Sequence, residues 1–192
     1  MIELDPRTSA LILIDLQKGV LDRPTEPRSA ADTLAAGKAL AQRFRAASAK
    51  VVQVRVAFAE DFADALSQPV DAPSPLRGRA LPADWSELAE GLAAPGDIHI
   101  VKRQWGAFHG TELDLQLRRR EISTVVIGGV ATNFGVESTA RQAWERGYSV
   151  VIAEDACATF TTAMHDFALQ WIFPRISRVT NGANIGFVAG RE

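Results

Sequence analysis

The 192 residues are 47% hydrophobic and 23% charged, proportions of an ordinary globular protein, and they suffice to bury a two-sided sheet core as a single domain spanning 1–192. Lys and Arg number 21 against 23 Asp and Glu, so there is no global positive field to hold phosphate backbones or anionic lipid, and nucleic acid and membranes are set aside as partners. Cys157 is the one cysteine, which rules out an intrachain disulfide and suits a reducing cytoplasm. No basic segment leads into an apolar stretch at the N-terminus, and no window reaches the roughly 18 apolar residues of a membrane span, so a chain that is neither exported nor anchored is expected.

Six short β-branched apolar runs predict strands at 10–16, 51–56, 98–101, 124–127, 149–153 and 176–180. Helical segments lie between most of them. Ser29-Ala-Ala-Asp32 is a capping-box pattern, followed by Leu34, Leu40, Ala41 and Phe44 on one face. Thr111-Glu-Leu-Asp114 repeats it and predicts a helix over about 110–120, with Arg118, Arg119 and Arg120 at the end where the dipole favours cations. Thr132 or Asn133 is expected to cap the next helix, whose inner face reads Val136, Ala140, Ala143 and Trp144, ending near Gly147. In the last helix Met164, Phe167, Ala168, Trp171 and Ile172 share a face, and Pro174 closes it.

Apolar strands alternating with amphipathic helices predict a parallel sheet covered on both faces, a Rossmann-like three-layer α/β/α sandwich. Ligands in such sheets bind beyond the carboxyl ends of the strands, where strand order reverses. The connection over 58–97 breaks the rhythm: it carries Pro69, Pro73, Pro75, Pro82 and Pro95, with a short helix expected over 84–93. A lid, an oligomer contact and plain surface are all open readings of it.

Asp15 ends an otherwise apolar strand, where a carboxylate needs a partner. Taken alone it reads as a turn cap; Lys102, at the corresponding end of the third strand, is able to meet it. Such a pair is either a structural ion pair or part of a site, and the aromatic residues Trp105 and Phe108 in the following loop favour a site. After the fourth strand, Gly128-Gly-Val-Ala-Thr-Asn-Phe-Gly135 feeds a helix N-terminus whose free N–H groups suit an anion or oxyanion. Its spacing is not a dinucleotide fingerprint, and no cofactor is expected. His99, His109 and His165 are not spaced as metal ligands, so no metal is expected either.

Leu-Ile-Asp15-Leu-Gln17, Val-Lys102-Arg and Gly-Gly-Val130-Ala131-Thr132-Asn133-Phe134-Gly135-Val-Glu-Ser-Thr-Ala together resemble the three signatures of the isochorismatase-like hydrolases, the cysteine hydrolase superfamily, and the likeness spans the chain. The resemblance implies a six-stranded parallel sheet and a catalytic group of Asp15, Lys102 and the residue at 135. Gln17, Trp105, Phe108 and the 130–134 turn would line the substrate, and a non-proline cis bond would join Val130 to Ala131. It also implies a homo-oligomer, dimer or tetramer. Most relatives carry a nucleophilic cysteine where this chain has Gly135, and glycine cannot form a covalent intermediate. Isochorismatases proper also carry glycine there and hydrolyse a vinyl ether, which would make Asp15 the general acid on a small anionic metabolite. Two alternatives stand beside this reading: a binding or regulatory module that has lost catalysis, and an amidase using Cys157 as a displaced nucleophile.

Overall fold

The computed structural model describes residues 1–76 and 79–188. Six parallel strands form the main sheet in the order β4 (Ile98–Lys102), β3 (Lys50–Val56), β2 (Ser9–Ile14), β5 (Thr124–Val130), β6 (Ser149–Ala158), β7 (Arg178–Thr180). Strand order reverses between β2 and β5, so the loops after these two strands flank the crevice where this class of sheet binds ligands. All six residues of β2 are buried, and their period-2 alternation fills two cores at once. Ala10, Ile12 and Ile14 face the layer of α3 (Leu113–Arg118), α4 (Glu137–Glu145), α5 (Thr162–Phe167) and α6 (Phe173–Ile176), whereas Leu11 and Leu13 face α2 (Ala30–Ala46). This is the expected three-layer sandwich.

Helix α2 starts as its sequence dictates, the Ser29 side chain accepting a hydrogen bond from Asp32 N at 3.0 Å. Elsewhere the helices depart from expectation. Thr111 caps one residue early, accepting from Leu113 N, and α3 is only six residues long. Neither Thr132 nor Asn133 is an N-cap: Ala131 is, and the chain enters α4 through a wide π-helical turn, Thr132–Val136, closed by Val136 N to Ala131 O. Trp144 turns outward, half exposed, while Val136, Ala140 and Ala143 are buried. In the last helical segment Pro174 does not end the helix but sits in the first turn of α6, because a π-helical stretch, Ala168–Ile172, resets the backbone before it.

The 58–97 connection contains turns but no helix at 84–93 among its described residues. It is fastened to the strand ends by Leu88 bridging Gln17 and by Lys18, the first residue of the short helix α1 (Lys18–Leu21), which pairs with Asp84 and Glu87. A small parallel ribbon of β1 (Ile2–Leu4) and β8 (Ile185–Phe187), too short to show as an apolar run, packs with the α2 side of the core. No helix of the described residues is long and apolar enough to cross a membrane.

Candidate active site

Asp15 follows β2 directly and adopts a left-handed backbone, φ 51°, a conformation Asp and Asn tolerate better than other L residues. The turn aims its carboxyl across the end of β3 to Lys102, the last residue of β4. Lys102 Nζ donates to Asp15 Oδ2 at 2.7 Å and to Gln104 O at 3.0 Å, and both side chains are nearly inaccessible. Asp15 Oδ1 is buried without a hydrogen-bond partner. Burial pushes the Asp15 carboxyl above the usual carboxylate range, and the Lys102 ammonium only partly opposes this.

The third corner is Gly135, inside the π-helical turn after β5. A Cβ there would lie 3.0 Å from Ile14 Cγ2, 3.3 Å from Asp15 Oδ2 and 3.5 Å from Trp105 O. Position 135 therefore faces the Asp15–Lys102 pair, and Ile14 has closed in on it. The Val130–Ala131 peptide is cis, where the family resemblance locates it. Gly129, at φ 131°, lets β5 pass so close to β2 that a Cβ would come within 2.1 Å of Ile14 O.

The other expected residues divide. Trp105 is 61% exposed with its ring edge against Phe134 at 4.8 Å, so both stand at the mouth of the site. Val130, Ala131 and Thr132 are buried in the turn; Thr132 Oγ1 bonds His165 Nδ1, and Asn133 Oδ1 accepts from Thr159 Oγ1. These side chains hold the turn in place. Gln17 and Phe108, expected to line the substrate, are instead buried within the protein. Gln17 donates to Val56 O and Trp85 O and accepts from Val56 N, so its amide is spent on the backbone. Phe108 is 3% exposed in the helix-side core, beside Tyr148.

Two residues that the sequence did not single out hold the site together. Thr139 donates to Gly135 O at 2.7 Å and accepts from Ala107 N at 3.1 Å, bracketing the Gly135 turn to the Lys102 loop. Its place four residues beyond Gly135, in helical phase with buried Ala140 and Ala143, was the available signal. His165 backs the turn through Thr132, and burial holds its imidazole below the ordinary histidine range and thus neutral. Cys157 lies on β6, fully buried; burial pushes its thiol up to about 12 and the Sγ donates to Ala153 O, so it is no nucleophile. Among the described residues no three His, Cys, Asp or Glu side chains converge as a metal site.

Residues 9–184 match the isochorismatase domain model. The chain belongs to the isochorismatase family. This member is 50% identical to the uncharacterized isochorismatase family protein YecD of Escherichia coli O157:H7, over 93% of this chain and 95% of YecD. It is 43% identical to the uncharacterized family protein YwoC of Bacillus subtilis, over 92% of each chain. Among solved structures, an isochorismatase family protein from Burkholderia thailandensis superposes with a TM-score of 0.90 at 44% identity, covering 96% of both chains. The chain is thus an isochorismatase-family hydrolase, built on the sheet and helix layers its relatives share.

Proposed function

We propose that this hydrolase works without a covalent enzyme intermediate, cleaving the vinyl ether of a small anionic metabolite by general acid catalysis. The observation that carries the reading is Asp15: a buried carboxyl whose desolvation favours the protonated form, with one oxygen lacking a protein partner, facing a residue with no side chain to attack. On an enolpyruvyl ether, Asp15 protonates the terminal methylene carbon, water adds to the resulting oxocarbenium carbon and returns a proton to the Asp15 carboxylate, and the hemiketal expels the alcohol to leave pyruvate. Lys102 is 2.7 Å from the carboxylate that appears as the proton departs and stabilises it, so its pairing with Asp15 serves the transfer. No cofactor enters this scheme, and a cytoplasmic setting fits a chain whose one cysteine is free.

The test is a panel of vinyl ethers, amides and imides read by pyruvate and ammonia release. Pyruvate release is expected from a vinyl ether carboxylate. Asp15→Asn, which keeps the left-handed backbone and a hydrogen bond to Lys102, should lower kcat by about 10²–10⁴. The acid must be protonated, so kcat should fall as pH rises through the raised Asp15 pKa. Full turnover by Asp15→Asn, or ammonia release from an amide, would overturn the proposal.

We also infer self-association, through the outward stripe of Met164, Phe167 and Trp171 on the last helical segment. The 58–97 connection is the weaker candidate, since its large exposed apolar side chains among the described residues are only Leu66 and Val70.

A further inference from the structure

A line of aromatic rings crosses the strand ends: Trp105 after β4, Phe134 after β5 and Phe160 after β6, with centroids 4.8 Å and then 6.1 Å apart. Arg23 completes it, its guanidinium carbon 4.3 Å above the Phe160 ring. That contact uses the face of the guanidinium and leaves its N–H edge unspent: Arg23 is exposed and has no hydrogen bond or ion pair with any described residue.

The loop that carries Arg23 is held firmly. Glu26 and Thr159 exchange backbone hydrogen bonds of 2.7 and 2.8 Å, and Glu26 Oε2 accepts from both Thr162 N and Oγ1. Arg28 Nη1 donates to Glu154 O and Cys157 O. Six bonds thus tie residues 26–28, just beyond Arg23, to β6 and the start of α5, and the Arg23 guanidinium already lies over Phe160. Lys102, by contrast, is committed to Asp15 and Gln104, which makes Arg23 the cation available at the end of the aromatic wall.

We infer that Arg23 is the carboxylate anchor of the substrate site: it takes a planar, unsaturated carboxylate in the bidentate manner of a guanidinium, with the flat part of the ligand on Phe134 and Trp105 and the far end directed to Asp15. A guanidinium pairs with a carboxylate in a planar fork, and its stacking on an aromatic ring keeps that fork oriented. The role presupposes that the Asp15 centre is where the substrate reacts, but it concerns binding and is measured separately from turnover.

The experiment titrates benzoate and benzamide into the wild-type chain and into Arg23→Gln and Arg23→Lys, following the Trp105 indole and Gly135 amide resonances. Arg23 is exposed, so these variants should fold, which circular dichroism checks. Benzoate is expected to shift both resonances saturably and to bind the wild type about tenfold or more tightly than Arg23→Gln, with Arg23→Lys between them. Benzamide should bind all three alike. With a vinyl ether substrate, Arg23→Gln should raise KM with little change in kcat. Benzoate binding that is unaffected by Arg23→Gln, or a wild type that does not prefer benzoate to benzamide, would overturn the assignment. Arg23-dependent benzoate binding in a protein that turns over no vinyl ether would instead refute the proposed reaction and leave the anchor standing.

Discussion

Gly135 offers no side chain for a covalent intermediate. In the proposed reaction the reacting groups are therefore the Asp15 carboxyl and water, and Ile14 Cγ2 lies where a Cβ at 135 would be only 3.0 Å away. Gly135→Ala should therefore fold well, because alanine favours a helical turn by up to about 1 kcal/mol over glycine, offsetting the few tenths of an ångström that Ile14 must yield. The same methyl would sit 3.3 Å from Asp15 Oδ2 and displace the group that must meet substrate. The expected outcome is a melting temperature within a few degrees of wild type and a kcat lower by about tenfold to a hundredfold, read by pyruvate release. Unchanged kcat would mean that the face of Asp15 toward position 135 is not the reactive one.

Among the elements, the strands and α2 were legible because burial on both sheet faces writes near-continuous apolar runs and because Ser29 has one obvious hydrogen bond to make. The meeting of Asp15 and Lys102 was legible because a charge at the end of an apolar strand needs a partner, whereas position 135 came from the family resemblance. For the helix after β5 the inner face Val136, Ala140 and Ala143 was legible but not the cap or the outward turn of Trp144, and for the one after β6 the phase was lost, since each contains a π-helical turn that a fixed 3.6-residue period cannot register. Gln17, which the resemblance sets against the substrate, spends its amide on three long-range bonds to Val56 and Trp85 that leave no local trace in the sequence. Those bonds give the element-scale prediction. Gln17→Leu would strand the Val56 N–H and two carbonyls in a buried setting, costing roughly 1–3 kcal/mol for a buried group left unsatisfied. The variant should melt earlier and be cleaved by protease first within 82–89, the part of the long connection that Gln17 clasps; cleavage elsewhere first would show that this clasp is not what holds the connection down.

For the molecule as a whole, the last helical segment carries two apolar stripes where the sheet needs one. His165, Ala168 and Phe173 are buried against the core, while Met164, Phe167 and Trp171 remain 42%, 58% and 57% exposed, and Trp144 of α4 is 52% exposed in the same helical layer. A contiguous apolar stripe left outward on a surface helix ordinarily marks a contact with another surface. The 3.6-residue period places Met164, Phe167, Ala168, Trp171 and Ile172 on one face, but the π-helical stretch at 168–172 breaks that phase, so Ala168 is buried while Met164, Phe167 and Trp171 turn outward. The outer stripe is the surface by which two copies should meet. Phe167→Lys combined with Trp171→Lys removes the apolar contact and puts like charges face to face across an isologous interface, while leaving Ala168 and Phe173 in the core. Light scattering should report a monomer for the double variant and a larger species for the wild type, with matching far-UV circular dichroism. An assembly of unchanged mass in the variant would place the interface elsewhere, with the 58–97 connection the next surface to substitute.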